Sequence, residues 1–176
     1  MTLASRRPLL ALAVGMAAII GSNGVEAATM EVPATARIVI EAVLADEDGA
    51  WSRGDAEGFA AAAADGIVFT NVVGMFTVGR APFVRQCACI FAGRYRGSRL
   101  VQTIEHITFV RPDVAIVSTL LAITGYESLP LGAHSDDGVL RTRSEQVITL
   151  DDGRWRVASF HNVPVNLAAI AAAGPP

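Results

Sequence analysis

The sequence predicts one α+β domain in which helices come first and an antiparallel sheet follows. Early segments carry apolar residues at helical spacing, and four long later segments alternate as strands do. Helices followed by a run of strands are typical of the α+β class. The formal net charge is only −3, and no lysine or arginine stripe is present, so a nucleic-acid partner is not expected.

Residues 1–27 have the pattern of a secretory signal peptide. Arg6 and Arg7 precede an apolar segment at 9–20, and Ala27 ends a small-residue cleavage motif. The apolar segment is too short for a membrane span, so we expect an exported protein, periplasmic or secreted, with no membrane partner after cleavage. The Arg6-Arg7 pair also resembles a twin-arginine signal, and both export routes stay open.

The mature chain is predicted to contain one domain at 28–165 and a flexible tail at 166–176. The predicted elements are separated by turns rich in glycine, aspartate or proline: helices at 33–53, 56–64 and 82–93, and strands at 67–71, 75–78, 100–110, Val114–Thr124, 139–150 and 154–163. Asp55 is placed to cap the second helix, because an aspartate at that position accepts a hydrogen bond from the first turn.

The first helix carries an acid in an unexpected place. Its apolar residues share one face: Ala36, Ile40, Val43, Leu44, Ala50 and Trp51. Glu47 lies near the middle of that face, where an ionised and unpartnered carboxylate would be costly. Its pKa should therefore rise, or it needs a partner. The sequence leaves open whether Glu47 is functional or reaches water at the edge of the core.

The third helix contains Cys87 and Cys89. Residues two apart on a helix point to different faces, so no disulfide is expected between them. Cys87 belongs to the apolar face and Cys89 to the exposed one. A Cys-X-Cys pair lacks the second ligand pair of a structural zinc site, and we predict no metal site.

Asp152-Gly153 lies between two alternating segments and predicts a tight hairpin. The predicted pairs across this hairpin are Leu150 with Trp155, Ile148 with Val157, Gln146 with Ser159, and Ser144 with His161. This register places Gln146 and His161 on one face of the sheet. His161 beside Glu47 would make an acid–base pair, and the alternative is a hydrogen-bonded structural histidine.

Three stretches carry a family resemblance: AWSRGD, FTNVVGMFTVGR and SEQVITLDDGRWRVASFHNVPV. The chain resembles SnoaL-like, SgcJ/EcaC-type proteins of the nuclear-transport-factor-2-like superfamily over residues 35–165. The resemblance implies a cone-shaped, curved antiparallel sheet wrapped around N-terminal helices, also described as a cystatin-like α+β barrel. It further implies a pocket open at one end and a homodimer formed through the outer sheet face.

The resemblance does not decide the function, because this cone hosts isomerases, cyclases, hydrolases and non-catalytic binding proteins. Many SgcJ/EcaC-type proteins carry an oxidoreductase label, but the sequence has no GxGxxG after a strand and no flavin signature, so we predict no cofactor. Asn71 aligns with the catalytic aspartate of ketosteroid isomerase relatives. Asparagine lacks useful basicity, so Asn71 either orients a ligand by hydrogen bonding or satisfies a turn.

The leading prediction is an exported protein that binds a small hydrophobic organic molecule in an apolar pocket. The candidate ligand-binding residues are Trp51, Asn71, Met75, His106, Tyr126, Gln146 and Asn162. The first alternative is a cofactor-independent isomerase, cyclase or hydrolase in which Glu47 and His161 are the catalytic acid and base. The second alternative is an interaction module that uses the outer face of the sheet.

Overall fold

The computed structural model describes residues 35–174, and the predicted signal peptide lies outside the described residues. The helices are α1 Ala36–Arg53, α2 Ala56–Phe59, α3 Arg80–Ala92 and α4 Leu167–Ala173. The strands are β1 Ala63–Thr70, β2 Phe76–Val78, β3 Arg99–Arg111, β4 Val114–Thr124, β5 Ser135–Asp136, β6 Val139–Asp151 and β7 Arg154–Pro164. None of these helices has the length and apolar character needed to cross a membrane.

The strands form one curved sheet in the order β2-β1-β7-β6-β4-β3, with β5 paired to β6. The prediction of an α+β fold with helices packed on a curved sheet is confirmed. Two details differ from it. The sheet ends at β2 and β3 and does not close into a barrel. Strands β1 and β7 are parallel, because they are remote in sequence and no hairpin turn dictates their relative direction.

Helix α1 packs its apolar face against the sheet. Ile40, Leu44 and Ala50 on that face are buried, and so is Glu47. At the C-terminal end of α1 an aromatic cluster fills the space between the helices and the sheet: Trp51, Phe59, Phe69, Phe83, Phe91, Tyr95 and Phe160. Its ring centroids lie 4.7 to 6.3 Å apart, mostly in edge-to-face or tilted arrangements, which is the favoured geometry for aromatic pairs.

Helix α2 is shorter than predicted. The alanine-rich sequence favours a helix to residue 64, but α2 ends at Phe59 and β1 begins at Ala63. Pairing with β7 overrides the helical propensity, since the Val157 N–H donates to the Ala62 carbonyl at 2.8 Å. The predicted cap is confirmed, because the Gly58 N–H donates to Asp55 Oδ1 at 2.8 Å.

The hairpin between β6 and β7 turns at Asp152-Gly153 as predicted. Both residues have positive φ, 48° and 74°, which the tight two-residue turn requires. The two pairs beside the turn are also as predicted: Leu150 with Trp155, and Ile148 with Val157. Beyond them, a β-bulge adds one residue to β7 between Val157 and Ser159 and shifts the register by one.

The bulge makes the predicted position of His161 wrong. Gln146 lies opposite Phe160, and His161 lies opposite Glu145. A one-residue shift moves every later side chain to the other face of a strand. Phe160 therefore enters the aromatic cluster, and His161 is exposed on the outer face of the sheet.

Candidate functional site

A cavity of about 640 Å³ lies between three segments that are distant in sequence. The segments are the turn from β1 to β2, helix α3 with the turn that follows it, and the loop between β4 and β5. The lining surface is mostly apolar and is contributed by Asn71, Val73, Met75, Gln86, Cys89, Ile90, Gly93, Arg94, Tyr95, Pro130 and Leu131. We refer to it below as the cavity.

Asn71 builds the turn that forms one wall of the cavity. Its Oδ1 accepts hydrogen bonds from the Val73 N–H at 3.0 Å and the Met75 N–H at 2.9 Å. Both acceptor positions of the side-chain oxygen are therefore used by the turn. The Asn71 amide nitrogen makes no hydrogen bond within residues 35–174 and is the group that this side chain can offer to a ligand.

Tyr95, after the end of α3, forms a second wall. Its side chain is only 6% exposed, and the hydroxyl has no hydrogen-bond partner among the described residues. Burial raises the pKa of Tyr95 to about 12, so the hydroxyl keeps its proton at physiological pH. Gln86 also lines the cavity, and its Oε1 is likewise buried without a partner in this part of the chain. Unsatisfied buried polar atoms are uncommon and are often completed by a ligand or water.

Arg94 fixes the third wall, the loop between β4 and β5. Its Nη1 donates to the Leu129 carbonyl at 2.8 Å, and its own carbonyl accepts from the Glu127 N–H at 2.7 Å. Arg96 adds a hydrogen bond from Nε to Glu127 Oε1 at 2.9 Å. These contacts hold the loop against the end of α3 and bring Leu131 to the mouth of the cavity.

A buried acid centre, formed by Glu47, Gln102 and Gln146, lies on the inner side of the sheet. Glu47 is 4% exposed, and its Oε2 accepts from Gln102 Nε2 at 2.9 Å and from Gln146 Nε2 at 3.0 Å. Burial raises the pKa of Glu47 from 4.5 to about 7. The hydrogen bonds from Gln102 and Gln146 lower this pKa, and the neighbouring charge of Asp48 raises it. Near neutral pH both protonation states of this carboxyl are therefore populated, and a pKa in that range suits a general acid or base.

The predicted acid–base pair of Glu47 and His161 is not formed. Glu47 faces the inside of the sheet through its bond to Gln146, whereas His161 is exposed on the outer face. There His161 borders a hollow of about 280 Å³ with Arg143 and Glu145. Glu47 is also not among the residues that line the cavity. The physical cause is the bulge in β7, which the sequence register did not include.

The other candidate ligand-binding residues are distributed over several places. Asn71 and Met75 line the cavity, and Gln146 belongs to the buried acid centre. His106 is exposed on β3 opposite Ser118, which borders the same outer hollow as His161. Neither histidine therefore lies in the cavity.

Trp51, Tyr126 and Asn162 are partly buried and do not line the cavity. Trp51 is packed in the aromatic cluster, and Tyr126 packs against the hydrophobic core. Asn162 shares the inner side of β7 with Phe160, and its Oδ1 is buried without a partner among the described residues. Packing accounts for Trp51 and Tyr126, whereas the unsatisfied oxygen of Asn162 has no such explanation.

Sequence reasoning missed Arg94, Tyr95 and Leu131 as cavity residues. Arg94 and Tyr95 follow Gly93, the predicted end of the third helix, and Leu131 lies in the long loop. No periodic pattern marks any of them, because they are joined only by the tertiary fold. Within residues 35–174, no three His, Cys, Asp or Glu side chains come together as a metal site would require.

The two cysteines are expected to differ in reactivity. Cys89 is exposed and lines the cavity, whereas Cys87 is buried and its thiol pKa is raised to about 12 by that burial. Since the thiolate is the reactive form, a maleimide should label one thiol per native chain and two after denaturation. Mass spectrometry of Cys89→Ser should then show almost no labelling of the native protein. Rapid labelling of both thiols would contradict the buried position of Cys87.

Comparison with known proteins is informative only at the level of structure. No protein-family model matches the sequence, and no curated protein matches it. A domain of unknown function with a cystatin-like fold from Nostoc punctiforme superposes with a TM-score of 0.67 at 22% identity, covering 78% of this chain and 83% of that one.

Two further solved structures superpose on this chain over a similar share of its length. An NTF-2-like protein of unknown function from Shewanella oneidensis gives a TM-score of 0.59 at 16% identity, covering 72% of this chain and 98% of that chain. A ketosteroid isomerase-like protein from Erwinia carotovora atroseptica gives 0.58 at 16% identity, with coverages of 73% and 95%. The chain therefore has the cystatin-like, nuclear-transport-factor-2-like α+β fold.

Proposed function

We propose that this protein binds a small hydrophobic organic molecule in the cavity. The observation that carries the proposal is the cavity itself, about 640 Å³ of mostly apolar space with a few fixed polar groups. Small-molecule sites in proteins are typically concave, mostly apolar, and roughly 300–1,000 Å³ in volume. Tyr95 and Gln86 supply buried polar atoms that have no partner within residues 35–174.

The mouth of the cavity supports the same proposal. Val73, Met75 and Leu131 lie there with 48%, 57% and 98% of their surface exposed. Neighbouring exposed apolar side chains around a concavity are typical of binding surfaces, because water contact with them is unfavourable. A ligand that fills the cavity would cover part of this rim.

The finer features of the proposal come from the sequence. We propose an exported, SnoaL-like protein of the SgcJ/EcaC type that acts as a homodimer. The signal-peptide pattern of residues 1–27 supports export, and the three resembling stretches support the subtype. Val101 and Val163 are exposed hydrophobic residues on β3 and β7, where an outer-face dimer would cover apolar surface.

A cofactor-independent acid–base enzyme is the second candidate. It is favoured by Glu47, whose pKa of about 7 suits proton transfer near neutral pH. Similarity in fold to a ketosteroid isomerase-like protein is compatible with this chemistry but does not establish it. Loss of substrate conversion in Glu47→Gln, with ligand binding retained, would favour the enzyme. An unchanged ligand recovered after long incubation would favour the binding protein.

A cavity-filling variant tests the binding proposal directly. Cys89 lines the cavity from α3, so Cys89→Trp places an indole in the space that the ligand would occupy. The neutral dye phenylnaphthylamine, which fluoresces in apolar surroundings, should bind the native protein at one site. We expect Cys89→Trp to weaken that binding by tenfold or more, since about 1.4 kcal/mol of lost contact gives this factor.

Ala88→Trp is the matched control. It adds the same side chain one residue earlier on α3, where Ala88 is exposed and borders a different hollow beside Gly54. The control should bind the dye as the native protein does. Equal affinity of the two tryptophan variants, or no single-site binding to the native protein, would overturn the proposed function.

A further inference from the structure

The polar groups of the cavity indicate which class of molecule it accepts. Resting on the proposed function, we infer that the ligand is an apolar molecule with one anionic group, of the carboxylate or sulfonate class, held by Arg94 with Tyr95 beside it. The apolar part would lie against Ile90, Met75 and Leu131, which line the same space.

The first argument is the sign of charge around the cavity. Arg94 is the only charged residue among those that line it, and no aspartate or glutamate is present in that set. The ion pairs of the described residues do not include Arg94. Its Nη1 is used by the Leu129 carbonyl, so the remaining N–H groups of the guanidinium are available. An uncompensated guanidinium beside an apolar wall favours binding of an anion.

The second argument is the hydrogen-bonding character of the neighbouring groups. The Oδ1 of Asn71 already accepts two backbone hydrogen bonds, so its amide nitrogen remains as a donor. The Tyr95 hydroxyl is a donor without an acceptor among the described residues. Arg94, Asn71 and Tyr95 therefore bring three donor-bearing side chains to the lining of one cavity, and Gln86 adds an amide oxygen that has no partner among the described residues. A ligand rich in acceptors matches this set better than a ligand rich in donors.

The third argument is the closeness of Arg94 and Tyr95. Burial raises the pKa of the Tyr95 hydroxyl, and the positive charge of Arg94 acts in the opposite direction on the same group. Arg94 and Tyr95 are adjacent in the chain, and both line the cavity. One carboxylate or sulfonate would be bound by these two neighbouring side chains, whereas a neutral apolar molecule would use neither the remaining N–H groups of Arg94 nor the Tyr95 hydroxyl.

A pair of dyes that differ in one sulfonate tests this inference. Phenylnaphthylamine is neutral, and anilinonaphthalenesulfonate is the same aromatic skeleton with an anionic sulfonate. Both are titrated into the full native chain, Arg94→Met and Arg94→Lys. We expect Arg94→Met to weaken the anionic dye by about tenfold and the neutral dye by less than about twofold. Arg94→Lys keeps the charge and should retain most of the anion affinity.

Arg85→Met is the control for loss of one positive charge. Arg85 is exposed on α3 and does not line the cavity, so it should leave the affinities of both dyes unchanged. Equal weakening of both dyes in Arg94→Met would show that the arginine only fixes the loop and would overturn the inference. No weakening of either dye would overturn it as well.

The two proposals fail in different ways. If both dyes bind, and both are excluded by Cys89→Trp, the binding function stands even when Arg94→Met has no selective effect. If neither dye binds at a single site, or if Cys89→Trp excludes neither, the proposed function itself fails and the inference fails with it.

Discussion

Replacing Glu47 by glutamine is expected to stabilise the protein by about 3 kcal/mol at about pH 8 and to leave its stability almost unchanged near pH 4. The carboxyl is buried, and its pKa is about 7 in the fold compared with an ordinary value of 4.5. Above pH 7 the folded protein holds a desolvated charge that the unfolded chain exposes to water. Below 4.5 both states are protonated, and the difference disappears.

The sign of the pH dependence follows from this comparison. The folded-state pKa of Glu47 is raised, so its contribution to stability is fully present below about 4.5 and is lost as the pH rises through about 7. The difference in unfolding free energy between Glu47→Gln and the native protein should therefore grow over this window. Denaturant unfolding at several pH values measures it, because the subtraction removes the titration of groups common to both proteins.

Glu41→Gln is the matched control on the same helix. Glu41 is exposed, and its Oε1 lies 3.5 Å from Arg37 Nη1 in an i, i+4 ion pair. Loss of such a pair changes stability by less than about 0.5 kcal/mol. If Glu47→Gln destabilised the fold at about pH 8, the bonds from Gln102 and Gln146 would outweigh the desolvation of the carboxylate, contrary to the raised pKa.

The elements that the sequence predicts well are those with a local cause. The apolar stripe of α1 identifies its buried face and singles out Glu47 as the exceptional residue on it. Asp55 and the Asp152-Gly153 turn are recognisable because a cap and a tight hairpin each need a particular residue type at one position. The α+β class follows from the order of these elements alone.

The features that the sequence does not reveal depend on contacts between distant segments. The β7 bulge is one extra residue. It leaves the alternation near the turn intact, but beyond it Phe160 points to the inner face of the sheet and His161 to the outer face. The early end of α2 depends on the pairing of Ala63 with Val157.

The cavity is unpredictable for the same reason. Arg94 and Leu131 come together only because the Leu129 carbonyl binds the arginine. His161, which was placed by strand register, and His106, for which strand alternation gave no decision, both lie outside it. The residues that the sequence did place there, Asn71 and Met75, are local to one turn, whose geometry the short β1–β2 connection fixes.

Replacing Trp51 by alanine is expected to destabilise the protein by about 4 kcal/mol. Its ring packs edge-on against Phe91 at 5.0 Å and Phe59 at 5.7 Å, so truncation leaves a void in the aromatic cluster. The indole Nε1 also donates to Ser98 Oγ at 2.9 Å. Thermal or denaturant unfolding of the variant beside the native protein measures the loss.

Trp51→Phe separates the packing role of this residue from the ligand-binding role that the sequence suggested. Phenylalanine keeps an aromatic ring in the cluster but loses the indole N–H, while Ser98 can still donate to the Tyr95 carbonyl, 2.7 Å away. We expect a loss of about 1–2 kcal/mol from the smaller ring and the missing hydrogen bond. Dye affinity should be unchanged, because Trp51 does not line the cavity. A folded Trp51→Phe that no longer bound phenylnaphthylamine would instead place the indole against the ligand, and the cavity would have to extend inward through Tyr95 to reach it.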